Sequence, residues 1–273
     1  MYRLIAVDVD GTLLDSAHTL SPRVRRSVRA ARRSGMHIAL ATGKLLRSVA
    51  DLVDELDLDG PQITCNGAAI MSARDGETLE FWPLEESASS AALRAIREAD
   101  PTLGIAWYTT DTIYTDAPRG PLDDILGAYH EPPIRHVLQL DHTLPPPAKL
   151  LVTGTPERLA ALRAAVTPRL TGITQIMTTT PDFLEFFGLT IDKGVALQTI
   201  MRSMGVTRDE VVALGDGEND MPLLAAADAS VAMANAVPAL RGQARFVTAS
   251  NDANGVALVI ESILAGRALV ARP

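Results

Sequence analysis

The stretch Leu4-Ile5-Ala6-Val7-Asp8-Val9-Asp10-Gly11-Thr12 opens with four apolar residues and stops abruptly at an acid. Such a run is too short for a helix, and it lacks the polar alternation of a strand with one wet face. It therefore reads as a strand buried on both sides, the kind that lies in the middle of a parallel sheet. Three further runs have the same form: His37-Ile38-Ala39-Leu40-Ala41 before Thr42, Gln62-Ile63-Thr64-Cys65 before Asn66, and Val211-Val212-Ala213-Leu214 before Gly215-Asp216.

Helical patterns lie between these runs. Ser21-Pro22 supplies a cap and a first-turn proline, Val24, Val28 and Ala31 recur on one face, and Gly35 ends the segment. Segments 221–227, 236–242 and 255–264 read as further helices. Strand and helix alternate, so the expected fold is α/β, with a doubly wound parallel sheet.

The middle of the chain breaks this rhythm. A hairpin is expected across Asp75-Gly76, then a helix over 85–99 after Trp82-Pro83, and strands over 104–110 and 112–115. A strand at 149–152, a helix at 156–166 and strands at 173–177 and 183–187 follow, with Glu131-Pro132-Pro133 and Pro145-Pro146-Pro147 as loops. The chain accordingly divides into a discontinuous core, 1–82 with 188–273, and an inserted α+β domain over 83–187.

With 273 residues, 47% of them hydrophobic and 21% charged, the chain has ample material for a buried core. Its net charge of −8 argues against nucleic acid or an anionic membrane as the main partner. The run Arg23, Arg25, Arg26, Arg29, Arg32, Arg33 is then the solvated face of an amphipathic helix. A single cysteine, Cys65, permits no intrachain disulfide and suits a reducing compartment. Asp8 comes too early for a signal-peptide apolar core, and the longest apolar-looking stretch, 221–240, contains Pro222, Asp228, Asn235 and Pro238. A soluble cytoplasmic protein without membrane spans is expected, in an oligomeric state that the sequence leaves open. Of the 25 lysines and arginines only Lys44, Lys149 and Lys193 are lysines, which makes each of them a position of interest.

Asp8 and Asp10 stand two apart at the mouth of the first strand, so an extended backbone turns both carboxylates to one side. Carboxyl ends of strands are where open α/β sheets bind ligands. Paired acids there repel and favour a bound cation or a retained proton, although Asp-Gly is also a common turn pair.

Asp8-Val9-Asp10-Gly11-Thr12 resembles the first motif of the haloacid dehalogenase-like (HAD) phosphohydrolases. Thr42-Gly43-Lys44 resembles their second motif and Leu189-Thr190-Ile191-Asp192-Lys193-Gly194-Val195-Ala196-Leu197 their third. Gly215-Asp216-Gly217-Glu218-Asn219-Asp220-Met221-Pro222-Leu223 is similar to the fourth, in the form used by the Cof-type branch, whose inserted domain is a type IIB cap. The resemblance implies a Rossmann-like core in which Asp8 is the nucleophile that forms an aspartyl-phosphate and Asp10 the general acid and base. It also implies that Thr42 and the Gly43 amide bind the phosphoryl group, that Lys193 neutralises nucleophile and phosphate, and that Asn219 contacts phosphate. Mg²⁺ would be held by Asp216, the Asp8 carboxylate and the Asp10 backbone carbonyl, with Asp220 supporting the metal or Lys193.

Two positions within these four motifs depart from the pattern. Lys44 stands where many members carry arginine, which leaves it between a site role and a surface position, and Asp192 stands where serine is frequent. Asn66-Gly67-Ala68-Ala69-Ile70, together with 231–236 and 248–257, reads as turns that support the site; Ala234 replaces a common glycine there.

The function so implied is a Mg²⁺-dependent phosphomonoesterase for a small phosphorylated metabolite, a sugar phosphate being the common case. A phosphotransferase or phosphomutase sharing the same aspartyl-phosphate is the alternative within chemistry, and a non-catalytic phosphate-sensing module the alternative outside it. The insert is expected to act as a cap that excludes water and chooses the substrate, with hinges at Trp82-Pro83 and Phe186-Phe187-Gly188. Its candidate substrate contacts are Trp107, Tyr108, Asp111, Tyr114, Arg119 and His130, each of which reads equally as packing or surface.

Overall fold

The apolar run at the start forms β1 (Leu4–Val7), buried along its whole length. The helix α1 (Pro22–Arg33) follows; the Ser21 side chain accepts a hydrogen bond from the Val24 amide at 3.2 Å, and Val24, Ser27, Val28 and Ala31 point inward. That cap satisfies a donor the first helical turn cannot pair by itself. β2 (His37–Leu40) lies parallel to β1, with Leu4 opposite His37 and Val7 opposite Leu40. A 3₁₀ turn over Leu46–Val49 and the short helix α2 (Ala50–Glu55) come next, where no helix was expected.

β3 (Pro61–Thr64), β4 (Ala69–Ser72) and β5 (Thr78–Phe81) form a three-stranded sheet of their own, β3 and β4 being antiparallel. A parallel bridge from Ala41 to Ile63 links this sheet to the end of β2. The run expected as one more central parallel strand is therefore chiefly a hairpin partner, and Cys65 has already left it for a left-handed turn.

This computed structural model describes residues 1–269, and the chain falls into two units. One comprises Met1–Gly43, Val49–Leu79 and the chain from Asp192 onward; the other comprises Lys44–Ser48 and Glu80–Ile191. The divisions at 79/80 and 191/192 lie three to four residues from the boundaries expected at 82 and 188, and the grouping of 44–48 with the insert was not foreseen.

The inserted unit contains α3 (Glu86–Ala99), β6 (Ile105–Tyr108), β7 (Ile113–Thr115), α4 (Pro121–Ala128), β8 (Arg135–His136) and β9 (Lys149–Thr153). It is completed by α5 (Pro156–Leu170), β10 (Gln175–Thr180) and β11 (Phe183–Phe187). Its sheet runs β10-β11-β9-β6-β7-β8, antiparallel except for the β7–β8 pair. Alternate residues divide its faces, as the two-residue period of a strand requires. Ile105, Trp107, Leu150, Val152, Leu184 and Phe186 pack with Leu93 and Ile96 of α3 and Leu159, Leu162 and Val166 of α5. Each such side chain gains about 1.5–3 kcal/mol on burial, so this face holds the unit together.

One open reading closes here and one expectation is corrected. Trp107, a candidate substrate contact, is a core residue whose Nε1 donates to the Pro145 carbonyl at 2.9 Å. Phe186 and Phe187, expected at a hinge, are strand residues, and Phe186 is buried in this core.

The first unit resumes with α6 (Lys193–Met204), β12 (Val211–Gly215), α7 (Met221–Ala225), β13 (Ala229–Ala232), α8 (Pro238–Gln243), β14 (Phe246–Val247) and α9 (Gly255–Leu264). β13 and β14 are too short and too mixed in composition to stand out in the sequence. The main sheet is five-stranded and parallel throughout, in the order β14-β13-β12-β1-β2. α1 packs with α9 and α6 with α7. From β1 the chain moves to β2 on one side and later returns to β12 on the other. The strand order thus reverses between β1 and β12, where the departing connections part and leave a crevice. Asp8 follows β1 and Asp216 follows β12. Among the described residues no helix is long and apolar enough to cross a membrane.

Candidate active site

At that reversal point the first unit gathers three acids and one lysine. Lys193, fully buried at the first turn of α6, places its Nζ 2.6 Å from Asp8 Oδ1 and 2.7 Å from Asp220 Oδ1. The other Asp220 oxygen, Oδ2, accepts the backbone amides of Asp216 at 2.9 Å and Gly217 at 3.0 Å. Asp220 therefore ties the loop after β12 to the lysine, one of the two supporting roles the sequence allowed. Asp192 caps α6, accepting from the Val195 amide at 2.8 Å, and so sets the helix start that carries Lys193 inward. Thr12 donates to Asp216 Oδ1 at 2.8 Å, a contact for which the sequence offered only the position of Thr12 in the first motif.

Oxygen atoms of Asp8, Asp216 and Asp220 lie within 4.8 Å of one another. Burial, then the negative charge of Asp220, pushes the Asp8 carboxyl well above the ordinary range, with Lys193 pulling against them. Burial and Asp220 likewise raise Asp216 to about 6, against the Thr12 hydrogen bond. Burial disfavours the Lys193 ammonium, but Asp220 and Asp8 outweigh it and keep its pKa above that of a free lysine. Three carboxylates face one ammonium, so the cluster is short of positive charge.

The residues present suit a hard divalent cation. The donors are all oxygen, and the backbone beside Asp10 comes close to them: a Cβ at Gly11 would stand 2.4 Å from Asp216 Oδ2, and Gly11 has φ +78°, a conformation open to glycine at little cost.

The Asp10 carboxylate is not part of that triad of acids. After Asp8 the chain winds through one wide turn, Leu13 N donating to Asp8 O at 3.1 Å and Leu14 N to Val9 O at 3.0 Å. The extended geometry that would have turned both carboxylates one way ends there. Asp10 Oδ1 instead lies 3.3 Å from Nδ1 of His18, a neighbour without a signal in the sequence. The late turns hold this loop: Asn235 Nδ2 donates to the Gly11 carbonyl at 2.8 Å and Asn251 Nδ2 to that of Leu14 at 3.0 Å.

Thr42 and Gly43 end the β2 segment, with the Thr42 amide donating to Ile63 O at 2.9 Å. They meet the fourth motif through a residue the sequence marked only as a supporting turn. Asn66 donates its backbone amide to Thr42 O at 2.9 Å, and its side-chain Oδ1 accepts from Asn219 Nδ2 at 3.0 Å.

Lys44 is buried, which rules out the surface position the sequence had left open, and it belongs to the inserted unit. There it acts electrostatically on Glu131, as does Lys149. Lys149 Nζ lies 2.9 Å from Glu185 Oε2 and 4.5 Å from the centre of the Tyr108 ring, and Thr179 donates to Glu185 Oε1 at 2.8 Å. Burial raises the Glu131 carboxyl, which accepts from Ser48. Lys149, Glu185 and Tyr108 occupy the sheet face opposite α3 and α5, as the alternation with Leu150, Phe186 and Trp107 dictates. Of the expected contacts in this unit, Tyr108 joins the cluster, Tyr114 packs on the apolar core, Asp111 closes the β6–β7 turn with Thr109, and Arg119 and His130 are exposed.

Residues 5–260 match the family model of haloacid dehalogenase-like hydrolases, and the chain belongs to that family. A haloacid dehalogenase-like hydrolase from Bacteroides thetaiotaomicron has a structure similar to this one, with a TM-score of 0.86 and 30% identity, covering 96% of this chain and 100% of its own. An HMP-PP phosphatase of Serratia proteamaculans is 27% identical, covering 88% of this chain and 87% of its own length. A 5-amino-6-(5-phospho-D-ribitylamino)uracil phosphatase of Bacillus subtilis is 26% identical over 94% of each chain.

Proposed function

We propose that the protein is a Mg²⁺-dependent phosphomonoesterase that hydrolyses a small organic phosphate, of the sugar or polyol kind, through an aspartyl-phosphate on Asp8. The observation that carries this reading is the Asp8 carboxylate held 2.6 Å from a fully buried ammonium at the mouth of β1. A carboxylate approaching a phosphate dianion meets like charge, and each pair of unit charges about 4 Å apart costs about 4 kcal/mol at an effective dielectric near 20. Lys193 offsets that repulsion through its contact with Asp8 Oδ1.

In the first step an Asp8 oxygen attacks phosphorus as the P–O bond to the alcohol breaks, and the Asp10 carboxyl gives its proton to the departing oxygen. In the second, the Asp10 carboxylate takes a proton from water, whose oxygen attacks phosphorus; the P–O bond to Asp8 breaks and inorganic phosphate leaves. Thr42, the Gly43 amide and Asn219 bind the phosphoryl oxygens. Asp8, Asp216 and the Asp10 carbonyl would hold Mg²⁺, which when bound supplies further positive charge to the phosphoryl oxygens.

Relatives named for two different small phosphorylated compounds, one of them a phosphoribityl compound, support this substrate class. The buried Lys149–Glu185 pair, with the half-buried Glu131 beside it, supports substrate selection by the inserted unit, since burying charges is costly where apolar packing would hold the sheet as well.

The test is phosphate release from a panel of phosphorylated metabolites with and without Mg²⁺, using wild type and Asp8→Asn. Wild-type turnover that EDTA silences and Mg²⁺ restores, lost in Asp8→Asn without loss of fold, is expected. Full activity in Asp8→Asn removes the nucleophile assignment.

A further inference from the structure

Three consecutive residues after β3 have positive φ: Cys65 at 50°, Asn66 at 56° and Gly67 at 101°. For glycine this costs little, but Cys65 and Asn66 carry side chains that disfavour the left-handed region, and two such residues in succession persist only where their surroundings hold them. All three are buried, and the surroundings are the phosphoryl machinery itself. The Asn66 amide nitrogen bonds Thr42 O, and the Asn66 side chain lies against Gly43 so closely that a Cβ there would stand 3.0 Å from Nδ2 and 3.2 Å from Oδ1. Its Oδ1 receives Asn219 Nδ2 at 3.0 Å. One residue on, a Cβ at Gly67 would come within 2.2 Å of the Asp192 carbonyl oxygen and 2.8 Å of the Lys193 amide nitrogen, so the turn is seated on the helix start that carries Lys193.

From this juxtaposition, and resting on the phosphatase reading above, we propose that Asn66 is a positioning residue of the phosphoryl pocket. It fixes the Asn219 amide and the Thr42–Gly43 backbone in the mutual orientation that receives a tetrahedral phosphate dianion. An amide suits the position on two counts. Asparagine tolerates the left-handed backbone better than most residues with a side chain, and its carbonyl oxygen orients the Asn219 NH₂ without placing a negative charge beside the phosphate. An aspartate would keep the shape and bring that charge. Three segments distant in sequence, 42–43, 192–193 and 219, are thus set by one turn. Ordering them before the substrate arrives lowers the entropic cost of assembling the pocket.

The test separates backbone from side chain. Asn66→Gly keeps the left-handed turn and deletes the amide; Asn66→Asp keeps the shape and reverses the electrostatics. Each is measured by thermal melting, by kcat and KM with p-nitrophenyl phosphate and Mg²⁺, and by the inhibition constant of inorganic phosphate. Asn66→Gly should melt within about 3 °C of wild type and raise both KM and the phosphate inhibition constant about tenfold, with a smaller fall in kcat. Asn66→Asp should weaken phosphate further, by about a hundredfold.

Because Asn66 acts through Asn219, the double variant Asn66→Gly/Asn219→Ala should bind phosphate about as weakly as the worse single one. Losses that multiply overturn the proposal, as does wild-type phosphate affinity in Asn66→Gly. Should Asn66→Gly lose its fold, phosphate affinity in Asn66→Asp decides alone, a wild-type value overturning the proposal. A wild type that neither hydrolyses an ester nor binds phosphate removes the functional reading and this proposal with it. An active wild type with an indifferent Asn66 removes this proposal alone.

Discussion

Replacing Asp220 with asparagine sets two large electrostatic effects against each other. Asp220 Oδ1 lies 2.7 Å from the Lys193 ammonium, an attraction on the order of 6 kcal/mol at an effective dielectric near 20. It also repels Asp8 and Asp216, whose oxygens lie within 4.8 Å, and each repulsion amounts to about 3.5 kcal/mol on the same scale. The Coulomb contributions therefore nearly cancel, and the hydrogen bonds decide. An asparagine oxygen can still receive the Asp216 and Gly217 amides, but its NH₂ then faces the Lys193 ammonium, donor against donor. The bond lost is charge-assisted, worth about 1.5–3 kcal/mol. At about 2–4 °C per kcal/mol for a unit of this size, Asp220→Asn should lower Tm by about 3–12 °C, measured by differential scanning calorimetry in EDTA at pH 7. Asp220→Ala also strands the two loop amides and should fall further. A Tm for Asp220→Asn within about 2 °C of wild type, or equal losses in the two variants, would show that Asp220 does not bridge the loop and the lysine.

Three further expectations concern other parts of the molecule. The pKa of Asp216 is raised to about 6 from its ordinary value near 3.8, so the folded state binds more protons between those values, and this group's contribution to stability rises as pH falls through that window. In EDTA, Asp216→Asn should melt above wild type at pH 7, with the gap closing by pH 4; a variant less stable than wild type at pH 7 contradicts the sign. Gly11→Ala forces a side chain to within 2.4 Å of Asp216 Oδ2 at a φ of +78°, and calorimetric titration should find Mg²⁺ affinity reduced at least about tenfold. Unchanged affinity would place the cation away from that backbone. Lys149→Met strips the buried Glu185 of its ammonium and should cost about 3–5 kcal/mol in urea unfolding, whereas Lys149→Met with Glu185→Leu should recover most of it. A single variant no worse than the double is evidence against the pair.

What the sequence revealed and what it hid follow from the range of the interactions involved. β1, β12 and the acids that follow them were legible because an apolar run ending at a carboxylate is a local pattern. α1 was legible through its cap, proline and apolar stripe. The convergence of Asp8, Lys193 and Asp220 followed from motif resemblance; no spacing along the chain dictates contacts across 185 residues, such as that between Lys193 and Asp8. The sequence did not show the wide turn at 9–13, which depends on Gly11 and leaves the Asp10 carboxylate outside the close group of Asp8, Asp216 and Asp220; alternation is a guide only while the backbone stays extended. The run 62–65 looked like β1 because apolar content does not tell a parallel neighbour from a hairpin partner. For Trp107 ligand contact and packing stayed open, since an aromatic residue on a short strand gives no sign of which face is covered, and the fold decides for packing.

All three lysines of this arginine-rich chain are buried, at 8%, 2% and 0% exposure for Lys44, Lys149 and Lys193. The folded surface therefore offers guanidinium groups but no lysine amine to an acylating reagent. Acylation at Lys193 becomes a clock for opening of the unit that contains β1, and acylation at Lys44 or Lys149 a clock for the other. Peptide mapping after timed exposure could thus follow the breathing of each unit separately, without an introduced probe.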